Sequence, residues 1–293
     1  MQPAIRHSND RPRLPIQAIL RRTPDLPALP AAVIRVLQLA GGNDASSRAI
    51  AEAIGLDQAL SSKVLRLANS SFYGLPRQVN SLNEAVILLG FRTVRHMALV
   101  AGTFPWMSKP LKGYDLAPRQ LMTHSMAVAV GSQMFARVGH FDPDLAFVAG
   151  LLTDIGKFAI SNCIDGKISL MMQLGIQTGK TFEDVERTVV GYSHAEVGAH
   201  MAENWNLPAE IVDSIRYHHC PTQSRRPWLA HVVHLADFMA MTTGCGLGGD
   251  GLQYEMSPES LEICGLSADD FDGLTEQFLV AIEHSESLFE GMK

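Results

Sequence analysis

Eleven histidines are spread over 293 residues, and eight of them fall between His124 and His234. Imidazole placed beside carboxylate is the ligand chemistry of zinc, iron and manganese. The residues of the right type are His124, Asp154, His194, His218, His219 and Asp237. They lie on five separate predicted helices, so spacing along the chain does not bring them together. A single histidine on an apolar helix is more often a hydrogen-bonded core residue than a ligand. Residue types alone leave both readings open, a metal centre and a polar core.

Other patterns fail on their context. Gly246-x-Gly248-x-x-Gly251 matches a dinucleotide fingerprint, but no strand precedes it and no helix begins at its end. Gly150-LLTDI-Gly156-Lys157-Phe158 has one residue too many for a phosphate loop and lacks the hydroxyl that would hold magnesium. Cys220 beside His219 has no visible acid to orient an activated thiol, and reads as structural. Residues 50–70 could form a helix-turn-helix carrying Lys63 and Arg66, which would make this segment a DNA reader. Against that, Ser61 stands where the motif wants a bulky apolar residue, and helix pairs joined at a glycine are common in any bundle.

The elements that must position these residues are helical almost throughout. Val33, Val36, Leu37 and Ala40 recur at helical spacing up to Gly41-Gly42. Leu60, Val64, Leu67 and Ala68 form a second stripe, closing near Gly74, and Val86, Leu89, Val94 and Met97 mark one further helix. Ile211 and Ile215 lead into His218 and His219 before Pro221. Ser257 with Pro258 opens one late helix, and Ser267 with Asp270 caps another, with a Leu266–Phe271 staple. No alternating strand pattern occurs, so the expected fold class is all-α. Pro24, Pro27 and Pro30 read as extended entry chain, and Pro105, Pro110, Gly113 and Pro118 as a boundary between two helical lobes.

Composition places the chain among folded globular proteins: 46% apolar, 18% charged, mean hydropathy +0.07. Four cysteines without a CxxC pair read as thiols of a reducing compartment. The N-terminus has no signal-peptide pattern, and no apolar run of about 18 residues suggests a membrane span. A cytoplasmic location is expected. The net charge of −6 argues against a dedicated nucleic-acid binder. It is unevenly spread, with +7 over residues 1–115, −3 over 116–249 and −10 over 250–293. A basic front suits an acidic protein partner, or a nucleotide or phosphate ligand.

The order HSMAVA (124–129), AFVAGLLTDIGKF (146–158), HAEVGAHMAENWNLP (194–208), IRYHH (215–219) and HLADFMA (234–240) resembles the HD-domain superfamily. LPALPAAVIRVLQLA (26–40), IAEAIGLDQALSSKVLRLANSSFYG (50–74) and SLNEAVILLGFRTVRHMAL (81–99) resemble the N-terminal half of the HDOD family, the HD-related output domain of bacterial signalling proteins. The resemblance covers residues 20–285 and makes residues 50–70 part of the first bundle.

In the catalytic relatives, the HD-GYP phosphodiesterases, two metals share one aspartate. The resemblance assigns that role to Asp154. A first metal site would take His124, Asp154 and Asp237 with the histidine of a His-Asp doublet, which here is Thr153. A second would take Asp154, His194, His218 and His219, all present, and Lys157 matches a lysine that steadies charge on the phosphate. Cys220-Pro221-Thr222 stands where those relatives have a glutamate and a Gly-Tyr-Pro loop. Two-metal hydrolysis needs both ions. The resemblance therefore implies a two-lobe module (residues 15–115 and 116–293, after a flexible 1–14) with at most one divalent ion, iron, zinc, manganese or magnesium. The expected function is non-catalytic regulation through protein contacts. The alternative is a metal-dependent phosphohydrolase in which Asp154 and Lys157 act, and a weaker one is DNA binding through residues 46–70.

Overall fold

The computed structural model describes residues 15–21, 28–39, 46–70, 72–246, 248 and 255–290, with side chains to residue 285. The expected flexible segment 1–14, Pro24, Pro27, Ala40 and Gly41-Gly42 lie outside the described residues. The first six helices are α1 (Ile16–Arg21), α2 (Ala31–Leu39), α3 (Ser47–Gly55), α4 (Gln58–Ala68), α5 (Leu82–Leu89) and α6 (Phe91–Met107). A 3-10 turn at Lys112–Tyr114 leads to α7 (Gln120–Val138), α8 (Pro143–Leu152), α9 (Ile155–Ile164), α10 (Ile168–Thr178) and α11 (Phe182–Val189). Then follow α12 (His194–Asn204), α13 (Ala209–Tyr217), α14 (Pro227–Thr242), α15 (Pro258–Cys264) and α16 (Ala268–Glu290). Among the described residues there is no strand, only an isolated bridge between Leu111 and Leu116.

Side-chain caps set many of the helix starts. Ser46, Asp57, Ser81, Thr181 and Ser193 each accept a hydrogen bond from the amide three residues on, which satisfies a donor the helix cannot. Ser267 and Asp270 exchange hydrogen bonds at the start of α16, and Leu266 and Phe271 both pack into the interior, as the pattern predicts. Pro258 occupies the first turn of α15 behind Ser257.

One expected helix is two. The stripe from Val86 to Met97 is interrupted at Gly90, whose φ of 83° ends α5 and turns the chain into α6. Apolar spacing reads through such a break because it does not register one residue of left-handed backbone. At the other end, α6 continues through Pro105 to Met107, so the expected boundary residue sits inside the last helical turn. Asn69 closes α4 and holds the loop after it: its side chain donates to Val79 O (2.8 Å) and accepts from Val79 N (2.7 Å).

The interior consists of two apolar clusters. The larger runs from Leu29 to Ile215 and draws on α2–α6 as well as α7–α9 and α11–α13. The smaller joins α7, α8, α14, α15 and α16 around Phe135, Met239, Phe271 and Phe278. The stretch Pro143–Ile164 is long and apolar enough to cross a bilayer, but 89% of its window is buried inside the fold, so its apolarity serves the core.

Asp144 in the first turn of α8 ties the early helices to the later ones. Its carboxylate meets Arg92 Nε (3.0 Å), Arg95 Nη2 (3.8 Å) and His96 Nε2 (3.4 Å), all from α6. Burial raises the Asp144 carboxyl, and the two arginines oppose that shift. Burial and the neighbouring Arg95 push His96 down to about 3, so it stays neutral against the face of Phe147, 4.1 Å away.

A close helix approach occurs at Gly156. A Cβ there would lie 1.9 Å from His194 O and 2.6 Å from Gly198 N, so α9 and α12 touch backbone to backbone. Gly273 in α16 faces open space. The Gly156→Ala protein is expected to lose about 1–3 kcal/mol or more by overpacking. Gly273→Ala is expected to gain about 0.5–1 kcal/mol by restricting the unfolded chain. Urea unfolding of the two variants against the parent measures both, and equal effects would contradict the contact.

Candidate functional site

Asp154 occupies the junction between α8 and α9 with 2% of its surface exposed. Burial alone would push its carboxyl up; Lys157, His194, His124 and His218 together hold it far below the ordinary range. Lys157 Nζ lies 2.9 Å from Asp154 Oδ2, one turn along α9. His194 Nε2 is 3.4 Å from Oδ1, His124 Nε2 is 3.4 Å from Oδ2, and His218 Nε2 is 4.0 Å from Oδ1. The structure thus gathers all six sequence candidates, since His219 and Asp237 complete the cluster. His194 Nε2 lies 3.0 Å from His219 Nε2, and His124 Nε2 lies 2.9 Å from Asp237 Oδ1.

Each element has its own means of placing these groups. The glycine contact between α9 and α12 puts His194, the first residue of α12, beside Asp154. The Ser193–Glu196 capping box fixes the start of that helix. His218 caps α13, and its carbonyl accepts from His234 Nδ1 (2.7 Å), while His234 Nε2 accepts from the Ser257 amide (2.9 Å). His234 is therefore a structural residue with both nitrogens engaged.

Hydrogen bonds on the outer side of the rings set the tautomers. His218 Nδ1 is 2.8 Å from Ile215 O, and His124 Nδ1 is 3.0 Å from Cys245 O. A carbonyl can only accept, so both Nδ1 atoms carry hydrogen. The neutral His218 then turns its Nε2 lone pair inward, whereas His124, held up against burial by Asp237 and Asp154, also carries hydrogen on Nε2 and donates it to Asp237 Oδ1. His194 Nδ1 is 2.7 Å from Glu186 Oε2, which also accepts from the His194 amide (2.8 Å). Burial favours neutral His194, but Glu186 and Asp154 overcome that and raise it to about 9. Burial keeps His218 and His219 below their ordinary values.

The lone pairs of His218 and His219 thus face a closed space beside His194 and Asp154. His218 Nε2 is buried without a hydrogen-bond partner. The Nε2 atoms of His194 and His219 meet at a distance that needs a proton or a cation between their lone pairs. Two groups have ligand atoms mutually within 4.8 Å: His194, His218 and His219, and His124, Asp154 and Asp237. Ligand atoms around a tetrahedral ion with bonds of about 2.0–2.1 Å stand about 3.3 Å apart. The donor set and its spacing fit a divalent ion on the His194, His218, His219 side with Asp154 as the anionic ligand. Outward Nδ1–H bonds, one of them to a carboxylate, are the usual support of metal-bound imidazole.

The other side is weaker. Thr153 is buried, and its hydroxyl donates to Ala149 O (2.9 Å) within its own helix. No imidazole joins His124 and Asp237 from that position, and the Lys157 ammonium already neutralises Asp154 there.

Sequence reading missed three participants. Glu186 is fully buried in α11, where it follows Phe182 and Val185 at helical core spacing. An acid in that register is a detectable sign of a buried partner. The Tyr114 hydroxyl, from the 3-10 turn, donates to Glu186 Oε1. The third is the Cys245 carbonyl. Gly246 takes a φ of 68°, and a Cβ there would stand 2.4 Å from Gln120 O and 2.8 Å from His124 Cβ. The glycine pattern dismissed as a nucleotide loop brings a carbonyl onto His124. Of that pattern, Gly251 lies outside the described residues.

Other sequence candidates fall elsewhere. The pair α3–α4, considered as a DNA reader, buries Ile50, Ile54, Leu60, Val64 and Leu67 in the larger core, and Ser61 Oγ donates to Ile54 O (3.0 Å). Cys220 is exposed, with its thiol raised by burial of the sulfur environment and by Glu183. No disulfide joins the four cysteines.

Comparison with known proteins agrees with this architecture. The HDOD domain model matches residues 26–221. An uncharacterised protein of Treponema pallidum is 23% identical over 204 residues, which is 69% of this chain and 39% of that protein. Ribonuclease Y of Thermus thermophilus is 30% identical over 163 residues, 55% of this chain and 23% of the enzyme. The chain thus spans well under half the length of these curated relatives. An HDOD domain protein of unknown function from Geobacter sulfurreducens superimposes with a TM-score of 0.73 at 24% identity, covering 94% of this chain and 96% of that one. A candidate phosphohydrolase from Shewanella amazonensis SB2B gives 0.69 at 24% identity, covering 94% and 98%. These structural likenesses show the fold. With the family model spanning most of its length and the helical architecture shared over 94% of it, this chain belongs to the HDOD domain family.

Proposed function

We propose that this protein is a non-catalytic regulatory module, acting through contacts with a protein partner, in which one divalent ion pins the helices around Asp154. The observation that carries the reading is enclosure. Asp154, His194, His218, Thr153 and Asp237 are each no more than 3% exposed, and His124 and Lys157 no more than 8%. A phosphodiester must reach its metal, and these groups are packed among helices instead of lining an open groove. The Thr153 position and the absent Gly-Tyr-Pro loop point the same way.

The ion, when bound, would supply charge compensation for Asp154 and cross-link α9, α12 and α13. His194, His218, His219 and Asp154 would hold it. Glu186 positions His194 by accepting its Nδ1–H. Lys157 serves as the fixed cation on the Thr153 side. The basic N-terminal region, +7 over residues 1–115, suits an acidic partner surface.

A second reading, a metal-dependent phosphohydrolase, draws support from the likeness to Ribonuclease Y and from the Asp154–Lys157 pair. In it, Asp154 would orient a water and Lys157 would steady charge on the phosphate. Metal analysis and an assay on the full chain separate the two. The regulatory reading expects about one ion per chain, lost on Asp154→Ala or His194→Ala, and no hydrolysis of cyclic di-GMP or a generic aryl phosphodiester. Turnover abolished by Asp154→Ala would establish the enzyme instead.

Two further outcomes follow from the site. Glu186→Gln is expected to weaken metal affinity by about 10–100-fold, as loss of a partner behind a ligand does. The second concerns pH. His194 without metal holds its proton up to about 9. An entering ion must displace that proton at any lower pH, so apparent affinity should rise roughly tenfold per pH unit from 7 toward 9 and level off above. Chelator competition across that range measures the slope; an affinity independent of pH would remove His194 from the ligand set.

A further inference from the structure

A second cavity, remote in its lining from the histidine cluster, lies where α6 faces α7, α8 and α16. Its volume is about 750 Å³, within the range of pockets that hold small ligands. Its inner wall is apolar and deformable, with Met97, Met126, Val130 and Met134. Flat groups stand beside it: His96 stacked on Phe147, and Phe72 against His284 at 4.5 Å between centroids. Two cations mark its edge. Arg92 is paired with Asp144, while Arg137 is exposed and hydrogen-bonds Gln133 Oε1 at 3.1 Å. Asp144, the carboxylate in the lining, is itself met by Arg92, Arg95 and His96. The His96 Nε2 atom is buried without a hydrogen bond, its nearest carboxylate oxygen being 3.4 Å away.

We propose that this cleft is a binding site for a small organic anion carrying a flat ring system, with the anionic group on Arg137 and Arg92 and the ring against the methionine wall. Arginine supplies charge-assisted, directional hydrogen bonds to carboxylate or phosphate. Methionine accommodates a ring without demanding one shape. The lining joins segments far apart in the chain, with α6 on one side and α16 on the other. A ligand there would add a contact between α6 and α16, next to where Phe72 meets His284. The face of α7 carrying Met126, Val130, Met134 and Arg137 is separate from the one carrying His124, so the site is independent of the metal reading.

The shared chemistry could come from a nucleotide or from an aromatic carboxylate. The test is isothermal titration of the full chain with AMP, GMP and cyclic di-GMP in one arm and indole-3-acetate and benzoate in the other. At least one probe is expected to bind, and the responding arm identifies the source. Arg137→Gln, an exposed substitution, should weaken that binding roughly 10–100-fold, the value of a hydrogen bond to a charged group. Met134→Trp should abolish it by filling the cavity, with Ala281→Phe as a second blocking variant from α16. Lys180→Gln, an exposed cation outside both sites, should leave it intact. No binding of any probe at millimolar concentration would overturn the proposal. So would binding that survives both blocking variants, or binding lost equally in Lys180→Gln.

Discussion

One buried carboxylate organises the centre of this protein. Asp154 sits at a helix junction with almost no exposure to water, where an isolated charge would cost several kcal/mol. Compensation arrives from three directions: Lys157 on α9, His124 on α7 and His194 on α12. Each compensating group fixes the place of its helix. The packing of α7, α9 and α12 is therefore as much an electrostatic solution as a hydrophobic one.

The next layer outward gives that arrangement its direction. A histidine can face a carboxylate as a donor or face a cation as an acceptor, and its far nitrogen decides which. The carbonyls of Ile215 and Cys245 take the Nδ1 hydrogens of His218 and His124, and Glu186 takes that of His194. The site consequently turns the His218 Nε2 lone pair inward and brings the Nε2 atoms of His194 and His219 to 3.0 Å. A proton on His194 and an entering cation would compete for the same lone pairs.

How much of this was legible depended on whether a signal was local. Helix class was readable because apolar spacing is a local property, and capping residues such as Ser267 with Asp270 announced their helix from four positions. The six ligand-type residues were readable as types, but their convergence was not, because it depends on the backbone contact at Gly156 and on the turn at Gly246. Gly90 hid inside an apolar stripe that continued on both sides of it. Glu186 sat in FEDVERTV among charges that look solvated, and only its core register betrayed it. The Cys245 carbonyl has no side-chain signature at all. Backbone groups that serve a site are invisible to any reading by residue type.

The two candidate sites have opposite character, and the contrast bears on function. The histidine cluster is closed and held from behind by hydrogen bonds to Glu186, Ile215 and Cys245, which suits a group that stays in place. The cleft at α6 is open, lined by methionines and edged by arginines, which suits a group that comes and goes. Both are anchored to α7 and α8: His124 and Asp154 at one end of the arrangement, Met134, Arg137 and Asp144 at the other. On the proposed reading the cluster would hold an ion that stays and the cleft a ligand that exchanges, a division of labour suited to signalling.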